Sequence, residues 1–129
     1  MAAGKPNVVV FFTDQQRWDS TGIHGNPMDI TPNFDRVAME GTHCHNAFTC
    51  QPVCLPARLV MQTGRYASQW GCYHNGGELP RGTRTIGHHF RDAGYHTGYI
   101  GKWHLCQEES GAHADPQMSI VPKDRRDGY

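Results

Sequence analysis

The sequence has no long apolar run and no excess of charge of either sign. No segment approaches the roughly 18 consecutive apolar residues of a membrane-spanning helix, so we expect no membrane span. The 12 basic and 12 acidic residues cancel, so nothing in the net charge suggests a surface for nucleic acid binding. The first residues also lack the apolar region of a signal peptide. This predicts a cytoplasmic protein as written, or a periplasmic or secreted one if a signal peptide has been removed.

A regular framework of cysteines is missing as well. The five cysteines are an odd number at irregular spacings, which argues against a set of structural disulfides. The nine histidines are scattered. The tripeptide His43-Cys44-His45, together with Cys50 and Cys54, resembles a zinc cluster only loosely. It contains neither a Cys-x-x-Cys pair nor a His-x-x-x-His pair, so the spacing does not favour a zinc site.

What the sequence does contain is an alternation of strand and helix patterns. Val8–Phe12 is a continuous apolar run of β-formers, typical of a strand buried on both faces. Further strands are predicted at His43–Thr49 and His96–Ile100. At 129 residues the chain is long enough for one domain with one core. We therefore predict an α/β fold with a mostly parallel sheet and helices on both faces.

Two helices are predicted between these strands from their capping residues. The first begins at Pro32 after the cap Thr31 and stops at Gly41. Its apolar stripe predicts packing against the core and is formed by Phe34, Val37 and Ala38. The second runs from the cap Thr85 to a stop at Gly94.

A third helix contains the most informative stretch of the chain. Pro56 is tolerated only in a first helical turn, so the helix is predicted to start at Cys54 or Leu55 and to stop at Gly64. Cys54 then lies at the helix N-terminus, where anions are favoured. Arg58 follows four residues later on the same face. This arrangement suits a site for a sulfate or phosphate group.

Polar residues follow two of the predicted strands. Asp14 and Gln15 come after Val8–Phe12, and their oxygens are hard donors suited to Ca²⁺ or Mg²⁺. Lys102 and His104 follow the last strand and are two residues apart, so in an extended segment both would point to the same side. Parallel strands would place both pairs at the same edge of the sheet.

These motifs together resemble the sulfatase family. The matching residues are Cys54, Pro56, Arg58, Thr63, Gly64 and Arg65, followed by the segment Gly101–Leu105. The chain departs from the family pattern at Ala57, where many members have serine, and at Gln15, where many have a second aspartate. A neutral amide at Gln15 weakens the charge of the metal site without removing its oxygen.

The resemblance implies a chemistry and a set of roles. Cys54 would be oxidised to formylglycine by a formylglycine-generating or sulfatase-maturing enzyme, and the hydrated aldehyde would attack the sulfur of a sulfate ester. Asp14, Gln15 and the group derived from Cys54 would bind a divalent metal, Ca²⁺ first and Mg²⁺ or Mn²⁺ as alternatives. Arg58 and Lys102 would offset the charge of the sulfate, and His104 would handle a proton.

The resemblance covers residues 1–105 and leaves 106–129 as an irregular tail. Sulfatases are several times longer, and their remaining metal ligands come from later in the chain. We therefore interpret residues 1–129 as the N-terminal portion of a sulfatase catalytic domain with an incomplete, alkaline phosphatase-like fold, inactive by itself. Two alternatives stay open. One is a phosphonate or phosphate ester hydrolase of the same superfamily, and the other is a non-catalytic metal-binding module.

Overall fold

The computed structural model describes residues 4–106, 121 and 123–129, and the chain divides into two compact units. The first unit spans Met1–Ala47 and the second Phe48–Tyr129. Each unit is built from short helices and turns. Within the described ranges, no helix combines the length and the apolar character that crossing a membrane requires.

Over residues 4–47, the first unit contains one α-helix and two short 3₁₀ helices. The 3₁₀ helices are Trp18–Ser20 and Gly22–His24, and α1 is Pro32–Glu40. The predicted bounds of α1 are confirmed, with Thr31 at the N-cap and Gly41 at the C-cap. Its predicted packing is wrong, because α1 has no buried residue and Phe34 and Val37 are exposed.

The predicted strands require a correction. None of the residues that the structure describes lies in a β-strand, and the stretches Val8–Phe12, His43–Thr49 and His96–Ile100 have irregular conformations. Val9 and Phe11 are each 87% exposed. A strand needs a neighbour to bond its N–H and C=O groups, and one apolar run cannot supply that neighbour itself.

Among its described residues, the second unit contains two α-helices and two 3₁₀ helices. Helix α2 is Cys54–Thr63 and α3 is Ile86–Asp92, with 3₁₀ helices at Ala67–Trp70 and Lys123–Arg125. The predicted cap of α3 is confirmed: Thr85 and the His88 side chain form a capping box. The C-cap of α3 is Ala93, one residue before the predicted glycine.

The core of the second unit forms around α2, which packs against α3 and the Ala67–Trp70 helix. It is composed of side chains from well-separated stretches: Leu55, Leu59, Cys72, Leu79, Trp103 and Leu105. Burial raises the pKa of the Cys72 thiol, which keeps this sulfur neutral as a core group.

The last described residues pack onto the same core. Arg125 is buried and donates through Nη2 to the Leu79 carbonyl at 2.6 Å. Tyr129 lies so close to Gly87 that a Cβ there would be 2.8 Å from the ring carbon Cζ, so only glycine fits without displacement. Of the predicted irregular tail, residues 107–120 and 122 lie outside the described part of the chain.

Candidate active site

Helix α2 places Cys54 as its first residue. Val53 at the N-cap has extended backbone angles, and Pro56 falls in the first turn, where its missing N–H costs no helical hydrogen bond. The helix ends at Gly64, which has a left-handed φ of 66° and donates its N–H to the Val60 carbonyl. The predicted start and stop of this helix are confirmed.

The N-terminus of α2 offers fewer backbone donors than the sequence alone indicates. The Leu55 N–H donates to Asn75 Oδ1 at 3.0 Å, and Pro56 has no N–H. Nothing in the sequence spacing indicates that Asn75 caps a residue 20 positions earlier. The favourable position for an anion therefore narrows to the immediate vicinity of Cys54.

Arg58 joins α2 to the segment that contains the second motif. Its side chain is buried, with 4% of the residue exposed. Nη1 donates to the Lys102 backbone carbonyl and, at 3.2 Å, to the Tyr99 hydroxyl. The Tyr99 hydroxyl in turn donates to the same Lys102 carbonyl at 2.6 Å. The guanidinium thus anchors residues 99–102 against the helix that begins with Cys54.

The Lys102–His104 segment alternates between surface and core, but it is not a regular extended strand. Lys102 is exposed, Trp103 is buried in the core and His104 is half-buried. His104 has a left-handed backbone with φ of 56°. The prediction that both side chains point to one side assumed an extended backbone at this residue, and that assumption is wrong.

The strained backbone at His104 has a counterpart at Gln15. Gln15 has a φ of 51°, a conformation that costs a non-glycine residue free energy and is enriched at functional sites. Four non-glycine residues in the described ranges have a positive φ, and two of them, Gln15 and His104, are candidate site residues.

Asp14 and Gln15 are exposed residues of the first unit. Their carboxylate and amide oxygens match the donor preference of Ca²⁺ in kind. Ca²⁺ takes about six to eight oxygens, so these two side chains fit as one part of a binding site. That Asp14 and Gln15 bind a metal together with Cys54, a residue of the second unit, stays a prediction.

The structure therefore brings together two of the motifs identified in the sequence. Cys54 and Arg58 share α2, and Arg58 contacts Lys102 through its backbone oxygen. Sequence reasoning missed Tyr99 as a partner of Arg58, since the two are 41 residues apart and Tyr99 falls in a predicted strand.

The chain belongs to the sulfatase family, because the sequence profile of that family matches residues 6–115. It is 45% identical over 102 residues to the uncharacterized sulfatase YidJ of Escherichia coli, covering 78% of this chain and 20% of that protein. It is 37% identical over 125 residues to an ulvan-active sulfatase of Formosa agariphila, covering 97% of this chain and 23% of that protein. An arylsulfatase of Clostridium perfringens is 38% identical over 107 residues, with coverage of 82% and 22%.

The chain thus spans between a fifth and a quarter of the length of these relatives. No solved structure matches it significantly. Family membership implies an α/β fold of the alkaline phosphatase type. The part of the chain that the structure describes contains α-helices and 3₁₀ helices and no β-strand.

Proposed function

We propose that this chain carries the nucleophile and part of the sulfate-binding site of a sulfuric ester hydrolase. The observation that supports this most directly is the hydrogen bond from Arg58 to the Lys102 carbonyl. It joins two motifs that are 44 residues apart and places the Lys102 segment beside the helix that begins at Cys54. Membership of the sulfatase family and the names of the relatives support the same reaction.

Cys54 is proposed to become formylglycine, whose hydrated aldehyde supplies a hydroxyl nucleophile for the sulfur of the ester. Cys54 is the first residue of α2, so the proposed group would lie at the positive end of the helix dipole. A negatively charged sulfate ester is therefore favoured at the point where attack occurs. The modification requires a sulfatase-maturing or formylglycine-generating enzyme as a partner.

Arg58 and Lys102 have different proposed tasks, although both are cations. Lys102 is exposed, so its ammonium group can bind the sulfate oxygens and stabilise the negative charge of the transition state. Arg58 is buried against the Lys102 carbonyl and acts by positioning that segment. His104 is proposed to donate a proton to the alcohol oxygen as its bond to sulfur breaks.

Asp14 and Gln15 are proposed to bind a divalent metal together with the group derived from Cys54. Their hard oxygens favour Ca²⁺, with Mg²⁺ or Mn²⁺ as alternatives. When bound, such an ion would neutralise charge on the sulfate and lower the pKa of the attacking hydroxyl. The remaining ligands are proposed to come from a later part of the full-length enzyme.

The modification of Cys54 can be tested by mass spectrometry of the tryptic peptide 37–58 after alkylation. The protein should be produced in a host that matures a known sulfatase in parallel. We expect an aldehyde at Cys54 and alkylated thiols at Cys44 and Cys50, which serve as internal controls in the same peptide. Three alkylated cysteines, while the parallel sulfatase is modified, would contradict the proposed nucleophile.

The role of Lys102 can be tested by kinetics on the full-length enzyme that contains this chain. Lys102→Ala should lower kcat/KM for an aryl sulfate about 10²- to 10³-fold, as does the loss of one donor to a developing oxyanion. Lys123→Ala is the matched control, because Lys123 is an exposed lysine of the same unit outside the proposed site. Faster turnover of an aryl phosphonate than of the sulfate would instead support the phosphonate ester hydrolase.

A further inference from the structure

We propose that His24, His43 and His45 form a binding site for Zn²⁺ in the first unit, separate from the oxygen-ligand site assigned to Asp14 and Gln15. One ring nitrogen from each histidine lies within 4.8 Å of the others. The three side chains come from the end of a 3₁₀ helix and from a loop 19 residues later. The fold therefore gathers imidazoles that the sequence separates.

The spacing of the nitrogen atoms suits a tetrahedral metal. The Nε2 atoms of His24 and His43 are 3.1 Å apart. Two nitrogens bound to one tetrahedral Zn²⁺ at about 2.0–2.1 Å lie about 3.3 Å from each other. These two imidazoles are therefore already close to the separation that the metal requires. His45 is exposed and supplies the third ring nitrogen, which lies within 4.8 Å of the other two.

His24 also has a hydrogen-bond partner for the ring nitrogen that faces away from His43. Its Nδ1 is 2.7 Å from the hydroxyl oxygen of Thr21, a buried residue. With the Thr21 hydroxyl donating to the Trp18 carbonyl at 3.3 Å, its oxygen is available to accept the Nδ1–H of His24. This tautomer leaves the lone pair of His24 on Nε2, the atom that faces His43.

The Trp18 indole forms one wall of the cluster. Its ring meets those of His24 and His45 edge to face, with centroids 4.8 and 6.2 Å away. The indole covers part of the imidazole surface and restricts rotation of the rings. Restricted ligands lose less conformational entropy when a metal binds.

The donor set selects the metal class. Neutral imidazole nitrogens favour Zn²⁺ and similar transition metals, whereas Ca²⁺ and Mg²⁺ prefer oxygens. Three histidines leave a fourth tetrahedral position for water or another ligand. The sequence pattern His43-Cys44-His45 was not sufficient to predict this site, because its third ligand is His24 and not a cysteine.

The test is a Zn²⁺ titration of the full 129-residue chain in competition with a chromogenic chelator. We expect one Zn²⁺ bound per chain, with an affinity that Ca²⁺ in excess does not reduce. His24→Ala and His43→Ala should each abolish competition with the chelator. Thr21→Val should weaken binding about 10- to 100-fold, the usual effect of losing an outer partner of a metal ligand.

Three controls separate this site from other ligands of the chain. His96→Ala removes an exposed histidine of the second unit, Asp14→Ala removes the proposed Ca²⁺ ligand, and Cys44→Ser removes the intervening thiol. None of these changes should alter the affinity. Loss of binding in Cys44→Ser, or unchanged binding in both His24→Ala and His43→Ala, would overturn the proposal.

A spectrum of the unaltered protein gives a second readout that does not depend on any variant folding. Co²⁺ substituted for Zn²⁺ should show the visible absorption of a tetrahedral site with nitrogen and oxygen ligands. An intense thiolate charge-transfer band would identify a cysteine site and overturn the histidine assignment. Absence of any Zn²⁺ binding by the unaltered chain would overturn it as well.

Discussion

The two units of this chain are stabilised in different ways. The second unit has an apolar core of six buried side chains built around α2. Among the described residues of the first unit, only Thr21 is buried. Its largest apolar run, Val8–Phe12, is exposed. The comparison shows that hydrophobic composition alone does not make a core, since an apolar run also needs elements that cover it.

The first unit is organised by a polar network in place of an apolar core. Asp35 of α1 accepts the Ile23 N–H at 2.9 Å through Oδ1 and the Thr31 hydroxyl at 3.0 Å through Oδ2. The Thr31 oxygen also accepts the Gly22 N–H. These bonds join the Gly22–His24 helix to α1. They fix local geometry around His24 and contribute little apolar burial.

The largest difference between the units should appear when a large apolar side chain is shortened. Leu59→Ala should lower the free energy of unfolding by about 2–5 kcal/mol, because Leu59 is fully buried and leaves a cavity. Phe11→Ala in the first unit should change it by less than about 0.5 kcal/mol, because Phe11 is 87% exposed. Urea denaturation of both variants measures this contrast. Equal destabilisation would show that Phe11 is packed in solution.

A smaller difference in the free energy of unfolding should appear when an arginine is replaced in each unit. Arg125 donates to the Leu79 and Leu105 carbonyls and pairs with Glu78 at 3.1 Å. Arg125→Met should cost about 1–3 kcal/mol, because it leaves buried carbonyl groups without their donor.

Arg36→Met is the matched change on the surface of α1. Arg36 pairs with Glu40 four residues later, and both side chains are more than half exposed. Its loss should cost no more than about 0.3–0.5 kcal/mol. Thermal unfolding at low and high salt measures both effects, and only the Arg36 effect should disappear with salt. A larger loss for Arg36→Met than for Arg125→Met would contradict the contrast between the units.

The smallest expected effect is a fall in the stability of the second unit at alkaline pH. Burial is the main cause that raises the pKa of the Tyr129 phenol. The ordinary phenol pKa is about 10, and below that pH both folded and unfolded chains keep the proton. As the pH rises above it, the unfolded chain loses its proton first, so stability falls until the raised pKa is passed.

The measurement is the difference in Tm between the unaltered protein and Tyr129→Phe as the pH is raised. Cys72 also has a raised pKa, but it is present in both proteins. Its contribution therefore cancels in the difference, which reports Tyr129 alone. Tyr73→Phe is the control, since Tyr73 is exposed. An equal slope in the unaltered protein and Tyr129→Phe would show that the phenol is not buried in solution.

The bounds of the three helices could be predicted from the sequence because caps are local signals. Pro32, Pro56 and Thr85 lie within the first turns or at the caps that they define. The strands could not be predicted reliably from Val8–Phe12 or His96–Ile100. An apolar run is compatible with a strand, but only a neighbouring strand makes it one, and that neighbour is not a local property.

The candidate site also has a part that the sequence predicts and a part that it does not. The residue types and their order along the chain, namely Cys54, Arg58, Lys102 and His104, could be predicted because short motifs specify chemistry. The contact between Arg58 and the Lys102 carbonyl could not be predicted from the sequence, and neither could the left-handed backbone of His104.

The sequence by itself therefore determined the family, the three helices and the reactive residue types, since these depend on neighbouring residues and on motif spacing. The tertiary structure decided which distant side chains meet. It brought Arg58 within hydrogen-bond distance of the Tyr99 hydroxyl, and His24 within 3.1 Å of His43. Such contacts depend on how the whole unit packs, because the free energy of bringing two distant residues together is supplied by many side chains at once.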